Sequence, residues 1–438
     1  MKAIISILGA GLACIYAPAQ VPPPPAGDPF GDDKSAAVQD VKGRGQENPD
    51  PDEDRSAKGS MKKEASFLFR NIHNQTNPGS ILTLAVPAMG IPTTSDVLET
   101  RVTLSDRFED SDRFRWLFKG FNSLSSIRGA DGRLAQESRL DEGFLDWRRE
   151  KWFFSLGKRR INWGHAQAFN PVNAVVPPRD PMDPSRETEG QPMLWMSRTD
   201  GPQGFDVILT RNYDRNYVSD GTRLGFRWHR SAAKIDYAVY YFDGQPYPDG
   251  RGFEGMAGAS FSADVYPGLT VYLETARFRN NYRNYYLIDG SASNKQKPYW
   301  QGVVGAGYNF GGRGRLVGEY YHNGQGYGKS ELQAYVGTLQ ETPAGTMGSL
   351  ARDFSLTAMN RDYALLNYRD EFRERYTLDL TLLAAGDRSV SFRAQAAYAL
   401  SDYYEASLVV IRNQGSRKSE FGILPVTTTV ELRFSAHF

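Results

Sequence analysis

The chain is short of several things, and each shortage excludes a class of protein. It has one cysteine, Cys14, so no disulfide framework can hold it together. It has almost no net charge, +1 from 52 basic and 51 acidic residues, so nothing global attracts nucleic acid. No stretch approaches the roughly 20 consecutive apolar residues of a membrane-spanning helix, so any spanning structure must be a closed sheet. Catalytic signatures are missing too. There is no G-x-S-x-G, no H-E-x-x-H and no G-x-x-x-x-G-K-[ST], and the glycines at 305, 307 and 311 and at 312, 314 and 318 fail the dinucleotide spacing. Among the five histidines, His322 is followed by Asn323-Gly324 but by no closely placed serine, so an enzyme is not expected. No metal or organic cofactor is expected either.

What is present is aromatic and polar together. Mean hydropathy is −0.53, yet the chain holds 24 Tyr, 24 Phe and 43 Gly. That combination fits strands that alternate between lipid and water. Lys2, the apolar run Ala3 to Ala13 and the small-residue site Ala17-Pro18-Ala19 read as a signal peptide over residues 1–19. Residues 20–63 hold Pro22 to Pro25 and the acidic group Asp50, Asp52, Glu53 and Asp54, with Phe30 as the one aromatic. Such a composition buries too little apolar surface to offset its ordering entropy, so a flexible segment is expected. Asp50-x-Asp52-x-Asp54 fails as a calcium loop, because Arg55 replaces the glycine and Met61 the bidentate glutamate.

Period-two rows fill residues 64–438. Tyr376, Leu378, Leu380 and Leu382 alternate with Thr377, Asp379 and Thr381; Leu224, Phe226 and Trp228 alternate with Arg223, Arg227 and His229. One set falls on each face of a sheet. A soluble sandwich would also alternate, but segments of about 9 to 13 residues, with Tyr240-Tyr241, Tyr320-Tyr321 and Tyr403-Tyr404 near their ends, match tilted membrane strands with aromatic girdles. The predicted fold is an all-β transmembrane antiparallel barrel of about 16 strands, with 14–18 allowed. Beyond the sixteen clearest segments, extra strands are expected near 81–87 and within 331–340.

Residues 164–200 break the pattern. Pro177, Pro178, Pro181 and Pro184 remove ladder donors, so this is read as a long ordered loop. If it folds into the lumen, Arg179, Asp180, Asp183, Arg186, Glu187 and Glu189 would form a pore constriction. Arg223, Arg227, Lys234, Asp236, Glu274, Glu319, Asp379, Arg393, Glu431 and Arg433 fall on polar faces and would form the lumen wall.

Two segments carry a family resemblance. Leu156-Gly157-Lys158-Arg159-Arg160-Ile161-Asn162-Trp163-Gly164 with Asn170-Pro171, and Glu319-Tyr320-Tyr321-His322-Asn323-Gly324-Gln325-Gly326-Tyr327, resemble porin-like barrels related to the alginate-export outer-membrane proteins. The terminal strand, alternating from Val430 to Phe438, resembles the last strand of bacterial outer-membrane barrels. The resemblance implies residence in the bacterial outer membrane and contact with its lipid. It also implies insertion by the barrel-assembly machinery through the strand ending in Phe438, and passive diffusion or export of a hydrophilic solute. It does not single out a polysaccharide, and no feature specifies an oligomer. The alternative is a structural or interaction barrel, an adhesin or assembly factor, without conductance.

Overall fold

The structure is a computed structural model and describes residues 62–80, 93–107, 114–128, 134–175, 180–183, 189–214, 217–243, 255–280, 283–286, 292–294, 297–311, 313–341 and 359–438. Along the chain come β1 (Lys62–Thr76), β2 (Thr94–Arg107), β3 (Phe114–Arg128), β4 (Leu134–Arg149), β5 (Trp152–Arg159), β6 (Gln191–Asp200), β7 (Gln203–Asp214), β8 (Tyr217–Ala232) and β9 (Ile235–Asp243). Then follow β10 (Met256–Tyr266), β11 (Leu269–Phe278), the small pair β12 (Asn284–Tyr286) and β13 (Ala292–Asn294), β14 (Tyr299–Phe310) and β15 (Gly314–Asn323). Helix α1 (Lys329–Glu341), β16 (Asp362–Phe372), β17 (Tyr376–Ala385), β18 (Val390–Ala399), β19 (Tyr404–Gln414) and β20 (Val426–His437) complete it.

An open sheet leaves two rows of unpaired backbone groups, which no lipid can satisfy. Here each large strand pairs antiparallel with its sequence neighbour, and β1 pairs with both β2 and β20. Among the described residues eighteen strands therefore close into a barrel, two more than the expected sixteen. The seam is reciprocal: Ala65 N–H donates to the Phe438 carbonyl at 2.9 Å, and Phe438 N–H donates to the Ala65 carbonyl at 2.8 Å.

The alternation sorts side chains by face. Phe69, Leu98, Leu273, Val304, Phe392, Leu408 and Leu432 stand exposed on the outside, while their strand neighbours point into the bore. The rim that carries both ends of the closed sheet has tight two-residue turns, Glu150–Lys151, Gly201–Pro202, Ala233–Lys234 and Pro267–Gly268. Each contains a residue with positive φ: Glu150, Gly201, Ala233 and Gly268. Longer connections gather at the opposite rim.

Three expectations need correction. Residues 331–340 are not a strand but lie in α1. Leu332, Tyr335, Val336 and Leu339 recur at helical spacing and are buried, and Glu331 accepts the Gly328 N–H at 2.8 Å as an N-terminal cap. The loop does not extend to residue 200, because β6 occupies Gln191–Asp200. Its apolar run Met193-Leu194-Trp195-Met196 hides the alternation, since Met193 and Trp195 are buried inward against other side chains while Leu194 faces out. Pro192 is tolerated because β6 pairs with β7 only from Met193 onward. The third is the start of the sheet. β1 begins at Lys62, inside the segment assigned by composition to the tail, and the signal peptide, the rest of that tail and the expected strand near 81–87 lie outside the described residues.

Candidate functional site

Arg159 ends β5 and sets the root of the connection to β6. Its guanidinium is buried, donates to Asp146 at 2.7 and 2.9 Å, and stacks over the Phe144 and Trp195 rings at 4.4 and 5.1 Å. From there the chain turns into the bore. Trp163 is fully buried, packs beside Tyr240 of β9, and lies under the Arg227 guanidinium of β8 at 5.6 Å. The Glu274 carboxylate of β11 accepts the His165 N–H and, at 2.7 Å, the Ala166 N–H. The Glu319 carboxylate of β15 accepts the Gln167 and Ala168 N–H groups at 2.5 and 3.1 Å and the Tyr272 hydroxyl at 2.7 Å. Phe169 then stacks on Tyr321 at 4.3 Å and approaches Tyr363 of β16 at 5.4 Å.

Asn170 closes this excursion by donating to the Trp163 carbonyl at 2.5 Å. Gly164 has φ +94, and a Cβ there would come within 2.5 Å of Glu274 and 2.8 Å of Asn170, so only glycine lets the backbone reach the wall. Further along, Asp183 lies 3.5 Å from both Arg393 of β18 and Arg433 of β20. Gly190 N–H donates to the Asp141 carbonyl of β4 at 3.0 Å before β6 begins. One connection thus touches inward-facing side chains of β8, β9, β11, β15, β16, β18 and β20. Only a segment inside the cylinder can reach all of them.

The residues expected to form a constriction divide accordingly. Asp183 is brought to the Arg393 and Arg433 guanidiniums. Asp180 is exposed and accepts the Met182 N–H at 2.9 Å, and Glu189 pairs with Lys158. Arg179, Arg186 and Glu187 lie outside the described residues. Of the expected wall residues, Glu274 and Glu319 grip the loop. Arg227 donates to Asp206 at 2.5 Å, and Arg223 is buried above the Phe242 ring at 5.9 Å. Asp236 is half-buried on the inner face of β9. Asp379 accepts from Asn367 at 2.9 Å and lies 3.6 Å from Arg393. Glu431 and Arg433 are joined by two hydrogen bonds of 2.8 and 3.0 Å. Lys234 is the exception: it sits exposed in the turn between β8 and β9, where its alternation with Asp236 is cut by the hairpin.

Sequence reasoning missed several inward groups. Arg70 pairs with Glu99 at 2.7 Å, Arg101 lies beside the same carboxylate at 3.5 Å, and Arg115 pairs with Asp146 at 2.8 Å. Asp206 was readable, since it alternates with Phe205 and Val207.

No protein-family model matches the chain, and no curated protein is similar to it. Solved barrels superpose loosely. Two variants of the porin of Rhodopseudomonas blastica are each 10% identical to this chain, covering 86% of it and 100% of their own length, with TM-scores of 0.43 and 0.44. At that likeness the fold rests on the strand pairing itself. The further relation to alginate-export proteins has only the two quoted segments behind it.

Proposed function

We propose that the chain is a passive channel of the bacterial outer membrane, admitting small hydrophilic solutes through a bore narrowed by its own β5–β6 connection. The observation that carries this reading is the pairing of an apolar exterior with an ionised interior in a closed cylinder. An exposed belt of Phe, Leu and Val around a whole sheet needs a lipid partner. Charges on that outer face would cost roughly 2–4 kcal/mol at mid-depth, and between the rims the arginines and carboxylates are turned inward instead, outer-face ones such as Arg277 and Asp362 lying near strand ends. Barrels of this strand number are wide enough to enclose water. The long-loop rim would face outward from the cell and the tight-turn rim inward, following the general asymmetry of such barrels. Insertion through the strand ending in Phe438, after removal of residues 1–19, completes the expected route.

Reconstitution into a planar bilayer tests the reading. Stepwise conductance is expected, and deletion of residues 170–190 should enlarge each step. Wild-type barrel that inserts without conducting would favour an interaction barrel, and unchanged steps after deletion would remove the connection from the pore. As for catalysis, His322 and Tyr320 both reach the Asp362 carboxylate, at 2.8 and 2.7 Å, on the outer face. A lipid-hydrolysing reading would need activity lost on His322→Ala.

A further inference from the structure

Ion pairs on the wall of a bore do not cancel for a passing solute when one partner stands in front of the other. On β1 to β4 and β20 the partners are arranged that way. Arg70 is 21% exposed, whereas its partners Glu99 and Glu431 are 12% and 6% exposed. Arg101 is 27% exposed beside the same Glu99. Arg115 is 15% exposed against 0% for Asp146, and Arg139 is 19% exposed against 3% for Asp141. Arg433, at 17%, covers Glu431 in the same manner. Glu137, near the long-loop end of β4, is the exception at 43%.

The cause is geometric. The carboxylates are short and sit close to the backbone, while the longer guanidiniums reach over them and rest on ring faces. The Phe121 ring carries Arg139 at 4.0 Å and Arg101 at 5.5 Å. A recess of about 180 Å³ opens along this wall, lined by Arg101, Arg433, Ser407 and Gln395 together with the carboxylates Glu99 and Glu405. The β5–β6 connection packs its rings against the opposite wall; among its described residues it meets this one through Asp183, 3.5 Å from Arg433, and through Gly190 on the Asp141 carbonyl, while Arg70 and Arg101 keep their partial exposure. At these pairs water and solute therefore meet guanidinium first and carboxylate second, and Glu405 of β19 is a half-buried carboxylate that shares the recess with them.

We propose that this sector makes the bore selective for small anionic solutes bearing carboxylate or phosphate groups, with Arg70, Arg101 and Arg433 setting the preference. The inference rests on the channel reading above and names its solute class. Guanidiniums match the planar oxygen pairs of such anions, and rows of fixed positive charge favour anion passage.

The test is the reversal potential of the reconstituted full barrel under a potassium chloride gradient. A several-fold preference for chloride over potassium is expected. The triple variant Arg70→Gln, Arg101→Gln, Arg433→Gln should lose it, and Glu99→Gln should strengthen it. Inorganic phosphate or acetate added to the wild type should reduce the chloride current, phosphate more strongly if phosphate-bearing solutes are the natural class and acetate if carboxylates are. If the triple variant does not fold, the wild-type potential and the Glu99→Gln shift decide the matter. A barrel that conducts but prefers potassium, or prefers neither ion, overturns the proposal and leaves the channel reading intact. A folded barrel that never conducts overturns both.

Discussion

The two sides of the bore are built on one backbone pattern yet end in different physical states. From β8 to β16 the inner wall is a dry core, where Trp163, Phe169 and Val172 of the incoming connection meet Tyr240, Phe242, Met256, Ala276, Tyr321 and Tyr363. From β20 through β1 to β4 the wall is ionised and accessible, with Arg70, Arg101 and Arg115 at its surface. Inward orientation by itself therefore does not make a residue wet. Whether it is wet depends on whether another segment arrives to cover it, and here one connection covers half of the cylinder.

Breaking the dry side should have the largest effect. Trp163→Ala removes a fully buried ring at its centre and should cost about 3–5 kcal/mol of local packing. Channel steps should become larger and noisier, bringing the dry half closer to the wet one; steps identical to wild type would mean the connection is held without its core. Next comes the grip on the backbone. Glu319→Ala leaves the Gln167 and Ala168 N–H groups without their acceptor, each worth about 1–3 kcal/mol if not rehydrated. Faster hydrogen exchange at residues 165–169 is expected, with Glu319→Gln recovering part of the protection because one acceptor oxygen remains.

The smallest effect is a pH dependence at the long-loop rim. Glu420, in the connection between β19 and β20, is buried and accepts from the Tyr363 hydroxyl and the Asn360 amide, both at 2.6 Å. Burial pushes its carboxyl above the ordinary range, with Asp387 adding repulsion, although the hydrogen bonds from Tyr363, Asn360 and Met359 oppose the shift. A group raised in the folded state stabilises fully below its unfolded pKa and loses that contribution as pH rises through the folded value. Protection of residues 415–425 should therefore fall as pH rises from the ordinary carboxylate range through the raised folded value, after correction for intrinsic exchange. Glu420→Gln should abolish the change, and persistence of the change in that variant would assign it to another group.

Much of this was legible beforehand, and the failures have causes. Rows with a charged or hydroxylic inner face, such as Thr377-Asp379-Thr381 and Ser391-Arg393-Gln395, announce their strands. Rows with two apolar faces do not, which is why β6 disappeared into a loop. β1 was masked by the polar start Lys62-Lys63-Glu64 and by its position beside the acidic tail. α1 could have been read from Leu332, Tyr335, Val336 and Leu339, but a search for period two finds neighbours in almost any mixed segment. Which charges would anchor the connection was not readable. Glu274 and Glu319 look like any other inward carboxylates until residues far earlier in the chain are brought against them.

The reciprocal hydrogen bonds between Ala65 and Phe438 have an engineering consequence. The two strands that begin and end the cylinder are neighbours like any other pair, and their outer tips lie side by side at the tight-turn rim. A short peptide joining them, with new termini opened in a connection at the far rim, would give a circular permutant whose ladder is unbroken. A reporter fused at those new termini would then sit on the opposite side of the membrane from one fused at the original ends.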